Sequence, residues 1–420
     1  MLCFHRCKAR RLLASAFALA CCAASSHAQQ RVSAEEAVSL ALSQPHVRQE
    51  LAAGVDSARS DVLAARTWAN PRLELSRERG DGTAAGGASE RSALLSQEIE
   101  LGGRRGLRVD AAELGVRAAQ LSAQYERARL RGEVLRAYSQ VVAAERVGAA
   151  HARASAGLQA LADVADRRTR AGDLSGYESR RIAQASARAQ ANAAQAEASA
   201  RSARARLAGW IGDVALDARL DDTPPLPSVP ATTDDLRSAE LDLLQARREH
   251  AQAQAKAERR LAVPVDVGVG TKRVEDAGIR DTLMVVELGV PLPLFDRNQA
   301  GRARAEAEAA RADAEYQRAL LQTRSRRAAA LAEATQLSAS ARTLFESAVP
   351  EAAALTEIAR ASFAEGELDL VGLLDAHEAE TAMVEQALDQ QARALEAVLE
   401  LQLLDPSNPH DPTHPLEETP

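Results

Sequence analysis

The residues able to do chemistry are few and scattered. Of the eight histidines, His46, His151, His250 and His377 fall in separate helical stretches, without the spacing that puts two ligands on one helix face. His5 and His27 lie in the first 28 residues. His410 and His414 lie in a proline-rich tail and are read there as composition rather than a metal site. All four cysteines, Cys3, Cys7, Cys21 and Cys22, also lie in the first 28 residues. From Gln29 onward the chain therefore has no disulfide, thiolate metal site or cysteine nucleophile. The carboxylates are spread along helices and form no isolated pair. Gly102-Gly103-Arg104-Arg105-Gly106 lacks the spacing of a phosphate-cradling loop and is better read as a strand-to-helix bend. The sequence thus predicts a protein that is not an enzyme, with no catalytic, cofactor or metal residues, whose function lies in its shape.

The first element to set aside is the leader. His5, Arg6, Lys8, Arg10 and Arg11 make a basic start, Leu12 to Ala24 an apolar run, and Ser26-His27-Ala28 a small-residue cleavage site. This is the layout of a secretory signal over residues 1–28, too short to span a membrane. An alternative cleavage at Leu19-Ala20-Cys21-Cys22 would leave Cys22 lipidated. The leader's charged residues are all basic, so the exported chain is more acidic than the formal −7 of the whole sequence. With charges of both signs mixed throughout, that composition argues against nucleic acid or anionic headgroups as partners. An aromatic content of 3% disfavours a core built on Phe, Tyr and Trp.

The remaining elements read as mainly α with a small β part. Leu107, Leu114, Leu121, Ala128, Leu135, Val142, Ala149 and Ala156 recur every seventh residue, a seam for packing along other helices. Ile182, Ala185, Ala189, Ala193, Ala196, Ala200, Ala203 and Leu207 make a second seam with three- and four-residue steps. Four short stretches alternate like strands instead: around Leu73 and Leu75, Leu95 to Leu101, Val263 to Val269, and Thr282 to Leu292. Each has one apolar and one polar face, as in a strand with lipid outside and water inside. Turn-rich connections, Gly80 to Glu90 and Val274 to Asp281, join them in pairs.

The pattern occurs twice. Asn70-Pro71 and Val263-Pro264 enter the strand pairs, Leu101 and Leu294 begin the exits, and Gly172 and Gly366 punctuate the long helices, all spaced by 193 or 194 positions. The predicted organisation is a first repeat over 29–223, a Pro-rich linker over 224–230, a second repeat over 231–404 and a disordered tail over 405–420. Each repeat reads helix, strand, strand, long helix, turn, helix. The helix from Arg105 to Arg170 would be about 100 Å long, with helices of roughly 50 Å (Ser33 to Thr67) and 55 Å (Leu174 to Trp210) end to end beside it. Gln299 to Glu365 would be the second long helix. The result is a rod with strands at one end and turns at the other.

Four strands cannot enclose water in lipid, because only closed barrels and helices satisfy their backbone there. The smallest common barrels need about eight strands and are filled by side chains; about twelve leave a lumen. A homotrimer is the economical duct. A soluble periplasmic coiled-coil adaptor or scaffold would explain the leader and the seams but not the duplicated strand pairs. Trp68 and Phe295 are expected as interface aromatics at the periplasmic edge of the barrel, with no comparable aromatic girdle at the outer edge.

The two-repeat plan, and Gly289-Val290-Pro291-Leu292-Pro293-Leu294-Phe295-Asp296-Arg297-Asn298-Gln299 leading into an alanine-rich helix, resemble the TolC family of outer-membrane efflux channels. The resemblance runs from Val32 to about Leu404. Pro291 to Gln299, with Gly366-Glu367-Leu368-Asp369-Leu370, is most similar to the cobalt–zinc–cadmium (CzcC-like) branch. Membership implies a trimeric twelve-stranded barrel in outer-membrane lipid and a periplasmic helical barrel. It also implies docking to a periplasmic adaptor (membrane fusion) protein and an inner-membrane resistance-nodulation-division pump, with divalent heavy-metal cations as cargo. Gly172 and Gly366 match the family's helix-hairpin turns, where adaptors touch. Asp173 and Glu367 after them are acidic where TolC itself is apolar. Gly102, Gly103, Pro291, Pro293 and Phe295 would form the strand-to-helix transitions.

Overall fold

The computed structural model describes residues 31–80, 88–221, 229, 238–261, 263–276 and 279–404. The expected leader, the lipidation candidate Cys22, the tail and all of the linker except Val229 lie outside them. In chain order the elements are β1 (Arg31–Val32), α1 (Ala34–Ser43), α2 (Pro45–Arg66), β2 (Arg72–Arg79), β3 (Ser89–Leu101) and α3 (Arg104–Ala171). Then come α4 (Gly176–Ile211), α5 (Val214–Asp217), β4 (Arg219–Leu220), α6 (Ala239–Arg259), β5 (Val263–Asp276) and β6 (Ile279–Gly289). The chain ends in α7 (Gln299–Thr343), a π-helical turn (Leu344–Ala348), α8 (Val349–Glu365) and α9 (Leu370–Leu404). The chain is mainly helical, and no helix among the described residues is long and apolar enough to cross a membrane.

α3 is the backbone of the rod, 68 residues without a break, about 100 Å at the α-helical rise. The sequence explains its continuity: it holds no proline, and glycine ends it on both sides. Two shorter partners share its length. α4 packs along the half nearest the turn, and α1 and α2 along the half nearest the strands. They meet at its middle, where Val32, Val38 and Ala41 pack on Val134, Val141, Val142, Leu207 and Ile211. Tyr138 fixes this crossing by donating to the Val32 carbonyl (2.9 Å) and accepting from the Asp221 amide (2.8 Å). That clamp holds the parallel pair β1–β4, two short strands absent from the sequence reading. The second seam holds throughout: Ile182, Ala196, Ala203 and Leu207 are buried and its other four residues half-buried. The first holds only in part. Leu107 to Leu135 are half-buried and Val142 is buried, but Ala149 and Ala156 are exposed. The tightest line instead runs four residues on, through Ala111, Ala118 and Gly132, where small side chains allow close approach.

Prolines correct two expected helices. Ser33 to Thr67 is not one helix, because Gln44, ahead of Pro45, is extended (φ −57, ψ 132) and so divides α1 from α2. A residue before proline is pushed out of the α region by its ring. Gln299 to Glu365 keeps its direction but passes through one π turn, in which the Val349 amide bonds the Leu344 carbonyl. Pro350 follows at once; lacking an N–H, it cannot complete the ordinary ladder there, and a π turn absorbs the mismatch. The fourth strand also ends earlier than expected, at Gly289, ahead of Pro291. The hairpin connections are shorter than expected, since β3 begins at Ser89 and β5 and β6 are separated only by residues 277–278.

Candidate functional site

β2, β3, β5 and β6 form one antiparallel sheet in that order, so the two strand pairs lie side by side and β2 and β6 are both left as open edges. Its register sorts the residues into two faces. On one, Leu73, Leu95, Val269 and Val286 align across all four strands, followed by Leu75, Ala93, Thr271 and Met284. Gln97, Val267 and Leu288, then Ile99 with Val265, then Leu101 with Val263, continue this face towards the helices. Val286 is 70% exposed, Leu73 63% and Val269 52%. Such a largely apolar face, bare over its outer rows, is covered in a finished structure by another surface or by lipid.

The opposite face is acidic. Glu74, Glu78, Glu90, Glu98, Glu100, Asp266, Asp276, Asp281 and Glu287 fall on it, against Arg72 and Lys272, with Leu94, Val274, Ile279, Leu283 and Val285 between them. Lys272 is paired with Glu90, and Glu100 with Arg108 (2.9 Å). The other seven carboxylates have no ion-pair partner among the described residues. Alternation of this kind, apolar against charged, is what a strand needs between hydrocarbon and water. Sequence reading found the alternation in each strand; the sign of the polar face emerges only when the register adds the four strands together.

At the inner end of the sheet the chain must turn sharply into its long helices. Gly102 and Gly103 do this before α3 with φ of +98 and +74, a left-handed path that costs glycine little. A side chain at Gly102 would also crowd the Leu261 carbonyl at 3.2 Å. Before α7 the chain leaves β6 through Pro291, Pro293 and Phe295 and reaches Asn298, also left-handed at φ 61. The two bends are joined by Glu258 at the end of α6. It accepts from Arg104 at 2.6 Å and from the Asn298 side chain, which also reaches the Glu258 carbonyl at 3.2 Å. Partial burial disfavours the charge on Glu258, but the bonds from Asn298 and Arg104 outweigh it and hold its carboxyl below the usual range. Trp68, half exposed, lies just before β2 with the Arg105 guanidinium 4.5 Å from its ring centroid. Phe295 is 91% exposed just after β6.

At the far end are two matching helix turns. Gly172 (φ +85) and Gly366 (φ +80) close α3 and α8. The Asp173 amide reaches back to Arg168 (2.9 Å) and the Glu367 amide to Ser362 (2.8 Å), the six-residue closure of a glycine-ended helix. Ser175 with Glu178 then forms a reciprocal cap on α4, while Asp369 accepts from the Gly372 amide (2.9 Å) at the start of α9. Asp173 and Glu367 are exposed. Leu158, Ala165, Ile182, Leu370 and Leu374 pack the two hairpins together behind the turns.

The helical histidines have structural partners where they are not simply exposed. His250 donates to the Ala111 carbonyl (2.7 Å), His151 pairs with Glu385, and buried His377 accepts from Arg360 (3.3 Å). His46 is exposed on α2. Among the described residues no three His, Cys, Asp or Glu side chains converge as a metal site.

The structure is thus a two-faced sheet at the head of a rod of antiparallel helices. The chain matches the family described as Outer membrane efflux protein over residues 37–213 and 231–405, and it belongs to that family. It is 28% identical over 353 residues to the cobalt-zinc-cadmium resistance protein CzcC of Cupriavidus metallidurans, covering 81% of this chain and 82% of that one. Its fold is shared with a membrane protein from Pseudomonas aeruginosa (TM-score 0.74, 21% identity, 88% of this chain and 89% of that chain). The outer membrane protein VceC of Vibrio cholerae shares it too (TM-score 0.71, 18% identity, 88% and 94%). The protein is therefore an outer-membrane efflux channel with its helical part in the periplasm. A soluble periplasmic scaffold is not supported.

Proposed function

We propose that three copies of this chain close one twelve-stranded barrel and continue inward as a single helical duct, which passively conducts cargo delivered by a periplasmic adaptor and an inner-membrane resistance-nodulation-division pump. The observation that carries this reading is the four-stranded sheet, with both edges open and one face apolar and bare. An open edge in hydrocarbon costs several kcal/mol per unpaired backbone group, so the sheet needs further strands, and identical copies supply them by symmetry. The two repeats, 29–223 and 231–404, are read as products of a tandem duplication. Gly172, Asp173, Gly366 and Glu367 are assigned to the adaptor-facing turns. Gly102, Gly103, Pro291, Pro293 and Phe295 make the strand-to-helix transitions, and Trp68 and Phe295 lie at the inner membrane–water boundary.

Divalent heavy-metal cations are the proposed cargo. CzcC, by name, confers resistance to such metals, and the acidic sheet face, turned inward in a closed barrel, would raise the local concentration of cations and repel anions. This is selectivity by field, not by coordination.

Two measurements test the reading. Detergent-purified protein should be a trimer by native mass, and its channels in a planar bilayer should give reversal potentials of a cation-selective pore under a salt gradient. A stable monomer, or anion selectivity, would contradict it. In cells without redundant ducts, deletion should raise sensitivity to zinc, cobalt or cadmium more than to organic antibiotics; sensitivity to drugs alone would remove the metal cargo and leave the channel.

A further inference from the structure

The apolar face of the sheet ends abruptly. One register step beyond Leu75, Ala93, Thr271 and Met284, the residues aligned across β2, β3 and β5 are Arg77, Arg91 and Arg273. All three are exposed, and none has an ion-pair partner among the described residues. Like charges directly opposite one another on neighbouring strands repel, and here two such pairs stand side by side about 5 Å apart. The next row brings Arg79, together with Glu275 already paired to Arg280 at 3.0 Å. The single acid on this face among the described residues is thus taken, whereas the lysine of the opposite face has its own glutamate.

The depth of the row points to what neutralises it. From Leu101 to Arg91 is ten residues along β3, about 34 Å at the strand rise. Tilted by about 40°, that stretch stands roughly 26 Å high, close to the ~25 Å apolar band of an outer-membrane barrel. With Leu101 at the inner boundary, the arginine row lies at the outer edge of the hydrocarbon. There the chain offers no tryptophan or tyrosine to form an aromatic belt.

We propose that Arg77, Arg91 and Arg273 form a docking row for the phosphate groups of the outer-leaflet glycolipid, anchoring the barrel at the surface where aromatic residues are missing. The inference rests on the barrel reading above. Guanidinium groups suit this partner: they bind phosphate oxygens in pairs, they stay charged, and their aliphatic stems lie along apolar surface while the heads reach the headgroup layer. A phosphate carrying more than one negative charge, set between adjacent strands, removes the repulsion within the row. The acidic inner face gives the same lipid no binding site, so the anchoring is confined to the outside.

The test uses the full-length trimer in detergent. Its dissociation temperature is measured with added bis-phosphorylated lipid A, with dephosphorylated lipid A and with inorganic phosphate. The phosphorylated lipid should raise that temperature well above the dephosphorylated one, and inorganic phosphate should not. The variant R77Q/R91Q/R273Q should lose the difference between the two lipids, and R91Q alone should reduce it. Equal responses of the wild type to both lipids, or a triple variant with the wild-type response, would overturn the docking row while leaving the trimer intact. A response to inorganic phosphate equal to that of the lipid would reduce the row to a simple anion site and overturn the anchor. Wild-type protein that is neither trimeric nor membrane-extracted would instead bring down the barrel reading itself.

Discussion

The two ends of the rod are finished to different degrees. At the turn end the helices are capped, closed by glycine and packed together through Ile182, Leu370 and Leu374, all within one chain. At the sheet end the single chain leaves Leu73, Val269 and Val286 bare and β2 and β6 unpaired on their outer sides. The turn end is a product of folding, whereas the sheet end is completed only by other copies and by lipid. Substitutions at the two ends should therefore be read out by different experiments.

The largest effect is expected at the sheet. Val269→Arg places a charge in the middle of the apolar face, at a cost of roughly 2–4 kcal/mol for a midplane arginine. Ser96→Arg, next to it on the other face, meets water. The amount of trimer extracted from outer membranes should fall steeply for the first and little for the second, with helix content of any soluble fraction retained. Equal losses for both would mean that the faces are not divided between lipid and lumen.

A smaller effect is expected at the turns. Gly172→Ala and Gly366→Ala each force a side chain into a left-handed conformation, costing about 1–2 kcal/mol, with open space around each Cβ. Trimer yield should hardly change. Urea denaturation should show a similar loss for each. If pump-dependent export falls far more than stability accounts for, the turns also serve as contacts; if the two losses track each other, they serve as turns only.

Much of this division was readable in the sequence because it rests on periodicity. Period-seven seams and period-two strands survive without knowledge of neighbours, and Gly172 and Gly366 stand where α3 and α8 end. What escaped depends on pairing between distant segments. The acid face combines Glu74, Glu98 and Glu287 from three strands, and the arginine row combines Arg77, Arg91 and Arg273. Neither is visible until the register is known. Tyr138 likewise lies inside one helix in sequence, yet it clamps both Val32 and Asp221. The two helix breaks are of another kind, because Pro45 and Pro350 mark them in the sequence itself. One divides a helix and the other only distorts it, since α7 and α8 remain packed along α9 on either side of the π turn.

The smallest effect separates the two hairpins at the turn end. α8 and α9 bury His377 with Arg360 beside it, and both the burial and that guanidinium push its pKa below the ordinary 6.5, against weaker support from Glu380 and Glu357. The unfolded side chain takes up a proton as pH falls through about 6.5, while the folded one resists it, so the unfolded state binds more protons in this window. Stability contributed by neutral His377 is therefore full above pH 6.5 and declines as pH drops towards the depressed folded value. Around the first turn the seam is Ile182, Ala185 and Ala189, with no buried histidine. Amide hydrogen exchange should accordingly quicken in α8 and α9 between pH 7.5 and 5.5, after correction for intrinsic rates, with a smaller change near Gly172. His377→Gln should remove the excess. An equal change in both hairpins, or one that persists in the variant, would place the pH response elsewhere.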